Sequence, residues 1–525
     1  MRNRRIALFL PALLLAAVSA LAQAVPTAPP PALDTFVARV MKTFEVPGIG
    51  LAIVKDDGVV MAKGYGVRKL GEPAAVDGQT LFGIASNTKV FTATALGLLV
   101  EEGRIRWDAP VIDYLPWFQM WDPYVTRELT IRDLLVHRSG LGLGAGDLLW
   151  WPPSTYNRRE IAGRLRYIRP ATSFRSAYAY DNVLYLIAGE VIEAITGQSW
   201  EDFVGERILK RVGMTGSNLR HSDAVAAKGN VAATHAPVNG AVRAIAPFLS
   251  DNTNPAGGIN SSAEDMAKWV RVLLAEGALP GAGGGRLFST ATWRQLTTLV
   301  TPIPIGSGPP ELAAIRPNFN GYGLGLGVRD YRGEKMLTHT GGLPGYLSRV
   351  AWLPGKKLGV VVLTNQESGE AFDAIVNHVV DHYLGAPAVD WVDAYQKARG
   401  RQQASFDEAE RKALAGRDAT SKPSLPAASY AGTYRDAWYG DISIRDNAGK
   451  LVMEFSRTPS LVGTLEHFQH DTFVVRWHDR ELRADAYVTF ALRANGAIDR
   501  VTMEAVSPLT DFSFDFQDLE LRKIK

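Results

Sequence analysis

The 525-residue chain contains no cysteine. That excludes disulfides, thiolate metal sites and a cysteine nucleophile together. An excess of charge of one sign is also lacking: 57 Lys and Arg stand against 54 Asp and Glu, and Arg2, Arg4 and Arg5 account for the whole net +3. So balanced a chain has no electrostatic footprint for nucleic acid or an anionic surface. Beyond residue 24 no segment reaches the ~20 apolar residues that a membrane span needs. No G-x-S-x-G elbow houses the serine of a Ser-His-Asp triad, so His137 lacks a partner of that kind. No Walker lysine follows the glycine-rich GLGLGAG at 140–146, which reads as a flexible loop. His378 and His382 have a zinc-compatible spacing around Asp381, but no Glu follows the first His and no third ligand is evident. No metal or other cofactor is expected.

What is present describes an exported globular protein. Hydrophobic residues make up 46% and charged residues 21% of the chain, enough apolar material for a large core. A basic start, an apolar run from Ile6 to Leu21 and Ala22-Gln23-Ala24 read as a signal peptide over residues 1–24. The expected location is therefore periplasmic or secreted. Residues 25–32 are a Pro/Ala-rich lead-in, and globular sequence runs from Leu33 to about Leu384. It opens on two apolar runs joined by Asp56-Asp57-Gly58, a hairpin signal. Strand-like segments return in YGLGLGV, SRVAWLPG and KLGVVVLTN, with helices between. Strands at both ends predict one sheet built from both termini, with a mostly helical insertion. Residues 391–424 are charged, helical at first and rich in Ser, Lys and Pro at the end, and read as a linker. From 425 to 525 the pattern is all-β: Ile442 and Ile444 alternate with polar residues, Asn495-Gly496 joins two strands, and Phe512, Phe514 and Phe516 recur at period two. About 100 residues of short strands make a small barrel or sandwich.

Three motifs bear chemistry. Ser86-Asn87-Thr88-Lys89 opens VFTATALGLLVEEG, a segment so apolar that its helix must be buried. Lys89 lies one turn from Ser86 on the same face, where the side chains can meet and the helix amides favour negative charge. S-x-x-K alone is common by chance; at the head of an all-round apolar helix the lysine must be buried, paired or functional. Tyr180-Asp181-Asn182 precedes the helical VLYLIAGEVIEAITG, which ends at Gly197. Taken singly, Asn182 fits an N-cap and Tyr180 a core aromatic. His339-Thr340-Gly341-Gly342 lies between two strands and reads as an edge of small residues, open to a substrate backbone and offering N–H donors. Aromatics cluster at Trp117, Phe118, Trp121 and Tyr124, and at Trp150, Trp151 and Tyr156, fitting either a wall beside the site or core and interface packing.

In order and spacing these motifs resemble the β-lactamase-related serine hydrolases, a group that includes class C β-lactamases, D-alanyl-D-alanine carboxypeptidases, D-aminopeptidases and some esterases. The resemblance covers residues 33–385. LTIRDLLVHRSGLG agrees, as does NPAGGINSSAEDMAKW with Ser261 and Glu264 spaced as a capping box. The C-terminal region resembles a β accessory domain that follows some of these enzymes. The resemblance implies an α/β (α+β) fold: an antiparallel sheet flanked by helices. It implies Ser86 as nucleophile, Lys89 and Tyr180 as its activators, Asn182 holding a substrate amide, and an oxyanion hole from the N–H groups of Ser86 and Gly342. With His339 and Gly341 these are the candidate site residues. His339 stands where penicillin-recognising members often have lysine, which leans away from carboxylate-bearing substrates. The implied activity is acyl-enzyme hydrolysis of short or unusual peptides, D-residue or linearised cyclic ones included. A carboxylesterase or β-lactamase on the same machinery is the alternative, and a non-catalytic binding protein the reading from another class. Bringing a lysine to pKa ~7 takes about 4.6 kcal/mol, and a tyrosine about 4 kcal/mol, so either could be the base. Every candidate lies between Ser86 and Gly342, so the β domain is expected to be separable from the chemistry, with few contacts crossing to it.

Overall fold

The computed structural model describes residues 27–226, 229–280 and 284–524. The proposed signal peptide lies outside them.

One eight-stranded antiparallel sheet is built from both ends of the first domain. Strands Gly48–Lys55 and Gly58–Gly66 form the hairpin at one side, Asp56 and Asp57 turning at φ 48 and 68. Gly48–Lys55 then pairs with Leu358–Thr364, which pairs with Tyr346–Leu353 and on to Glu334–Leu343. Gly48–Lys55 and Leu358–Thr364 are buried along their whole length, because helices cover both faces. Ile49, Leu51 and Ile53 face one helical layer, Leu33–Phe44 and Gly369–Leu384; Ala52 and Val54 face the other, which holds Ala263–Leu274 and Lys89–Glu101. The mostly helical insertion fills the chain between Gly66 and Thr301.

The second domain is an eight-stranded antiparallel meander from Gly432 to Lys523. Its last strand, Arg522–Lys523, pairs with its first, Gly432–Asp436, and Val501 bridges Leu521, so the barrel is nearly closed. Tyr434, Ile442, Phe455, Trp477 and Phe490 fill it.

Several local expectations change. YGLGLGV is not one strand: Gly325, at φ 81, turns the chain so that a Cβ there would meet the Lys89 carbonyl oxygen at 2.7 Å. The cap of helix Ala263–Leu274 is Ser262, which accepts the Asp265 N–H, rather than Ser261, which lies in a strand. Residues 391–424 open with a 25-residue helix, Trp391–Ala415, whose first turn is buried on Gly369–Leu384 through Trp391 and Tyr395. The Phe512–Phe516 repeat is a turn and a 3-10 helix rather than a strand: Phe514 and Phe516 are buried and Phe512 is exposed. His378 stacks on Phe36 between helices, and no group of three or more His, Asp or Glu that could hold a metal occurs among the described residues. No helix among them is long and apolar enough to cross a membrane.

Many contacts cross between the domains, against the expectation of few. Arg483 grips Glu367 with both guanidinium nitrogens at 2.7 Å. Arg457 pairs with Glu160, Arg243 with Glu481, and Arg164 donates to the Trp438 carbonyl. The barrel therefore sits on the face where the site opens.

Candidate active site

Ser86 lies in a single 3-10 turn, Ala85–Thr88, that runs straight into helix Lys89–Glu101. The turn is pinned on several sides. Ile84 N–H donates to the Ile259 carbonyl, Ser348 Oγ donates to the Ile84 carbonyl at 2.7 Å, and Asn87 Nδ2 donates to Ser348 Oγ at 2.8 Å. Ala85 is held at φ 49, a left-handed conformation costing a non-glycine residue roughly 1 kcal/mol. The turn thereby lifts Ser86, partly exposed, out of buried surroundings. Gly341 explains how the strand comes so near: a Cβ there would lie 2.2 Å from the Ile84 oxygen and 2.5 Å from Ser348 Oγ. Along this edge Thr338 is the last residue paired with strand Gly327–Tyr331, so 339–343 face the Ser86 turn instead of another strand.

Lys89 is fully buried. Its Nζ lies 2.9 Å from Ser86 Oγ, 2.7 Å from Asn182 Oδ1 and 3.0 Å from the Ala256 carbonyl, with the Tyr180 and Tyr185 rings about it. Burial brings its pKa down to about 7, against the pull of Asp147 and Asp181. Tyr180 is pushed well above the ordinary tyrosine value by burial, with the nearby Ser86 hydroxyl pulling the other way. Asn182 does not cap its helix; Asp181 accepts the Val183 N–H in its place. The Asn182 side chain spans instead from Lys89 to Asp147, donating to Asp147 Oδ2 at 2.8 Å. Sequence reasoning missed Asp147. It is fully buried, also accepts from Trp150 Nε1 at 2.9 Å, and burial raises its carboxyl to about 7.

His339 lines the cavity, but both ring nitrogens are engaged. Its Nδ1 faces the Thr340 carbonyl and therefore bears the hydrogen, leaving Nε2 to accept from the Tyr322 hydroxyl at 2.6 Å. Burial brings its pKa down to about 3, so the ring is neutral. His137 lies beneath Tyr180, ring centroids 4.2 Å apart, and its Nδ1 accepts the Asp181 N–H. GLGLGAG is not a free loop. Gly144 N–H donates to the Tyr180 carbonyl, and the backbone from Gly144 to Trp150 is buried.

The cavity above Ser86 holds about 450 Å³ and is lined by Trp150, Trp151, Tyr180, His339 and Gly342, among others. Of the aromatic clusters, Trp150 and Trp151 form its wall, Tyr156 packs at the domain interface, and Trp121 and Tyr124 are exposed. Three lining residues, Asp511, Phe512 and Ser513, come from the second domain. Phe512 meets the Tyr180 ring edge-on at 6.0 Å, Ser513 lies near enough to Asp147 to favour its charged form, and Asp515 accepts the N–H groups of Gly146 and Leu148 at 2.6 and 2.9 Å. The sequence did hold a signal for Asp147. Asp147 is a lone acid set among apolar neighbours, and a carboxylate seldom stays buried without dedicated partners.

Sheet, helical insertion and site turn together define a class. Residues 33–384 match the Beta-lactamase family, and the chain belongs to it: it is a hydrolase of the β-lactamase fold. Residues 416–523 match a domain of unknown function, DUF3471. Among curated relatives, an unguisins hydrolase, ungD of Aspergillus violaceofuscus, is 29% identical over 469 residues, which span 83% of this chain and 81% of the relative. Penicillin-binding protein 4 of Amycolatopsis lactamdurans is 29% identical over 61% of this chain and 81% of its own. In fold, the octameric penicillin-binding protein homologue from Pyrococcus abyssi aligns with TM-score 0.56 at 22% identity, covering 94% of this chain and 99% of that one.

Proposed function

We propose that the chain is an exported serine hydrolase that cleaves amide bonds of short peptides through an acyl-enzyme on Ser86, bulky or D-configured residues included. The observation behind it is the contact of Ser86 Oγ with a fully buried lysine, 2.9 Å away, whose pKa lies near 7. A neutral Lys89 donates its two hydrogens to Asn182 Oδ1 and the Ala256 carbonyl. Its lone pair is then left for the Ser86 hydroxyl, the geometry of a general base. Tyr180 stays protonated at neutral pH and lines the same cavity as Ser86, so its hydroxyl can pass a proton to the departing nitrogen and regain one from the protonated Lys89 beneath its ring. An amine leaves poorly without that proton, whereas an alkoxide or phenolate leaves more readily, and this favours amides as the substrates served. The N–H groups of Ser86 and Gly342 receive the developing oxyanion.

The neutral, engaged His339 offers no cation to a substrate carboxylate. The wall of Trp150 and Trp151 suits apolar side chains. The similarity to an unguisins hydrolase over most of both chains supports a hydrolytic role. Intact-mass analysis after incubation with a panel of peptides, esters and β-lactams tests the reading. Peptide amides should be turned over with a transient acyl adduct on Ser86. Turnover of the β-lactams alone would reject it.

A further inference from the structure

A second cavity of about 450 Å³ opens between the two domains and shares Trp151, Gly342, Leu343 and Asp511 with the cavity above Ser86. The two are thus continuous along the end of strand Glu334–Leu343. Trp151 and Phe248 from the first domain, rings 4.9 Å apart, and Phe514, Leu482 and Leu509 from the second make its walls. Leu509 is 57% exposed there. The charged groups at the rim are already satisfied. Glu367 is gripped by Arg483, and Glu481 by Arg243 and the Ala246 N–H. The two remaining acids of the lining accept backbone N–H groups, Asp479 from Glu481 and Asp511 from Ser513. A ligand entering this cleft meets apolar surface and, among the described residues, no unpaired cation that would hold a carboxylate.

Its position fixes which part of a substrate it takes. The leaving group lies beside Tyr180, which supplies its proton, and Tyr180 packs toward His339 and Tyr322 at the start of the exposed edge. The acyl part then extends the other way, past Gly342 and Leu343. We infer that the interdomain cleft is the acyl-side subsite, built jointly by both domains to hold a bulky uncharged apolar group two or more bonds from the scissile carbonyl. This deepens the acyl-enzyme reading above and rests on it.

Two p-nitrophenyl esters, acetate and octanoate, share a leaving group and differ only on the acyl side. Leu509→Glu puts a charge on the exposed wall, and Ala246→Trp fills the cleft from the opposite side; neither residue touches the catalytic groups. Each variant should lower kcat/KM for octanoate about ten-fold while leaving acetate unchanged. A loss on both esters alike, or an octanoate-to-acetate ratio within two-fold of the parent chain in both variants, overturns the subsite. If the parent chain forms no acyl-enzyme with acetate, the proposed acyl-enzyme mechanism falls and takes the subsite with it.

Discussion

A lysine without access to water must find its partners inside the protein, and Lys89 finds Ser86, Asn182 and the Ala256 carbonyl. Burial disfavours its charged form, while Asp147, reached through Asn182, favours it. The signs make a test. In the proposed mechanism acylation needs neutral Lys89, so kcat/KM should rise with pH through about 7 and then level off. Asp147→Asn removes the negative charge that holds the lysine pKa up, so the acid limb of that profile should move to lower pH. A limb that stays in place or moves upward would show that Asp147 does not act on Lys89. Because Asp147 itself titrates near 7, the two groups act as a coupled pair, and the limb belongs to the pair. Ser86→Ala should remove turnover by about four orders of magnitude or more while leaving the circular dichroism spectrum unchanged. A variant keeping a tenth of the parent rate would reject Ser86 as nucleophile.

Among the elements, the contact that matters most is between the Ser86 turn and strand Glu334–Leu343. Gly341→Ala would drive a methyl into the Ile84 oxygen and Ser348 Oγ, so the strand must move away from Ser86. We expect about 3 kcal/mol of lost stability by denaturant titration and loss of acylation. Gly342→Ala meets only the end of the Leu347 side chain, at 3.2 Å, and should fold normally. Equal stability of the two variants would contradict the packing argument. Much of this was legible beforehand. Ser86, Lys89, Tyr180 and Asn182 sit at the starts of two strongly apolar helices, where local pattern places them; the hairpin at Asp56-Asp57 and the all-β second domain follow from turn residues and alternation. What escaped depends on docking between distant segments. No periodicity brings Ser513 to Asp147 or Asp515 to the backbone of Gly146 and Leu148. The phenylalanine repeat at 512–516 imitated a strand because Phe514 and Phe516 are buried from a turn.

For the whole molecule the consequence is that the barrel is part of the site. A loop from it closes one wall of the cavity and braces the segment that bears Asp147. The expectation that the chemistry survives its removal is therefore reversed. Asp515→Ala leaves two buried N–H groups without an acceptor, each costing about 1–3 kcal/mol, and should slow acylation by p-nitrophenyl acetate about ten-fold or more. The barrel's own fold should persist. Undiminished acylation would restore the view of two independent domains. The central claim is that Ser86 becomes acylated in a site completed by both domains. Its most direct test is to treat the full chain with a fluorophosphonate and locate the adduct by intact mass and peptide mapping. The account predicts one adduct per chain, on Ser86, forming faster as pH rises through about 7. An adduct on another residue, or none on a folded chain, would contradict it.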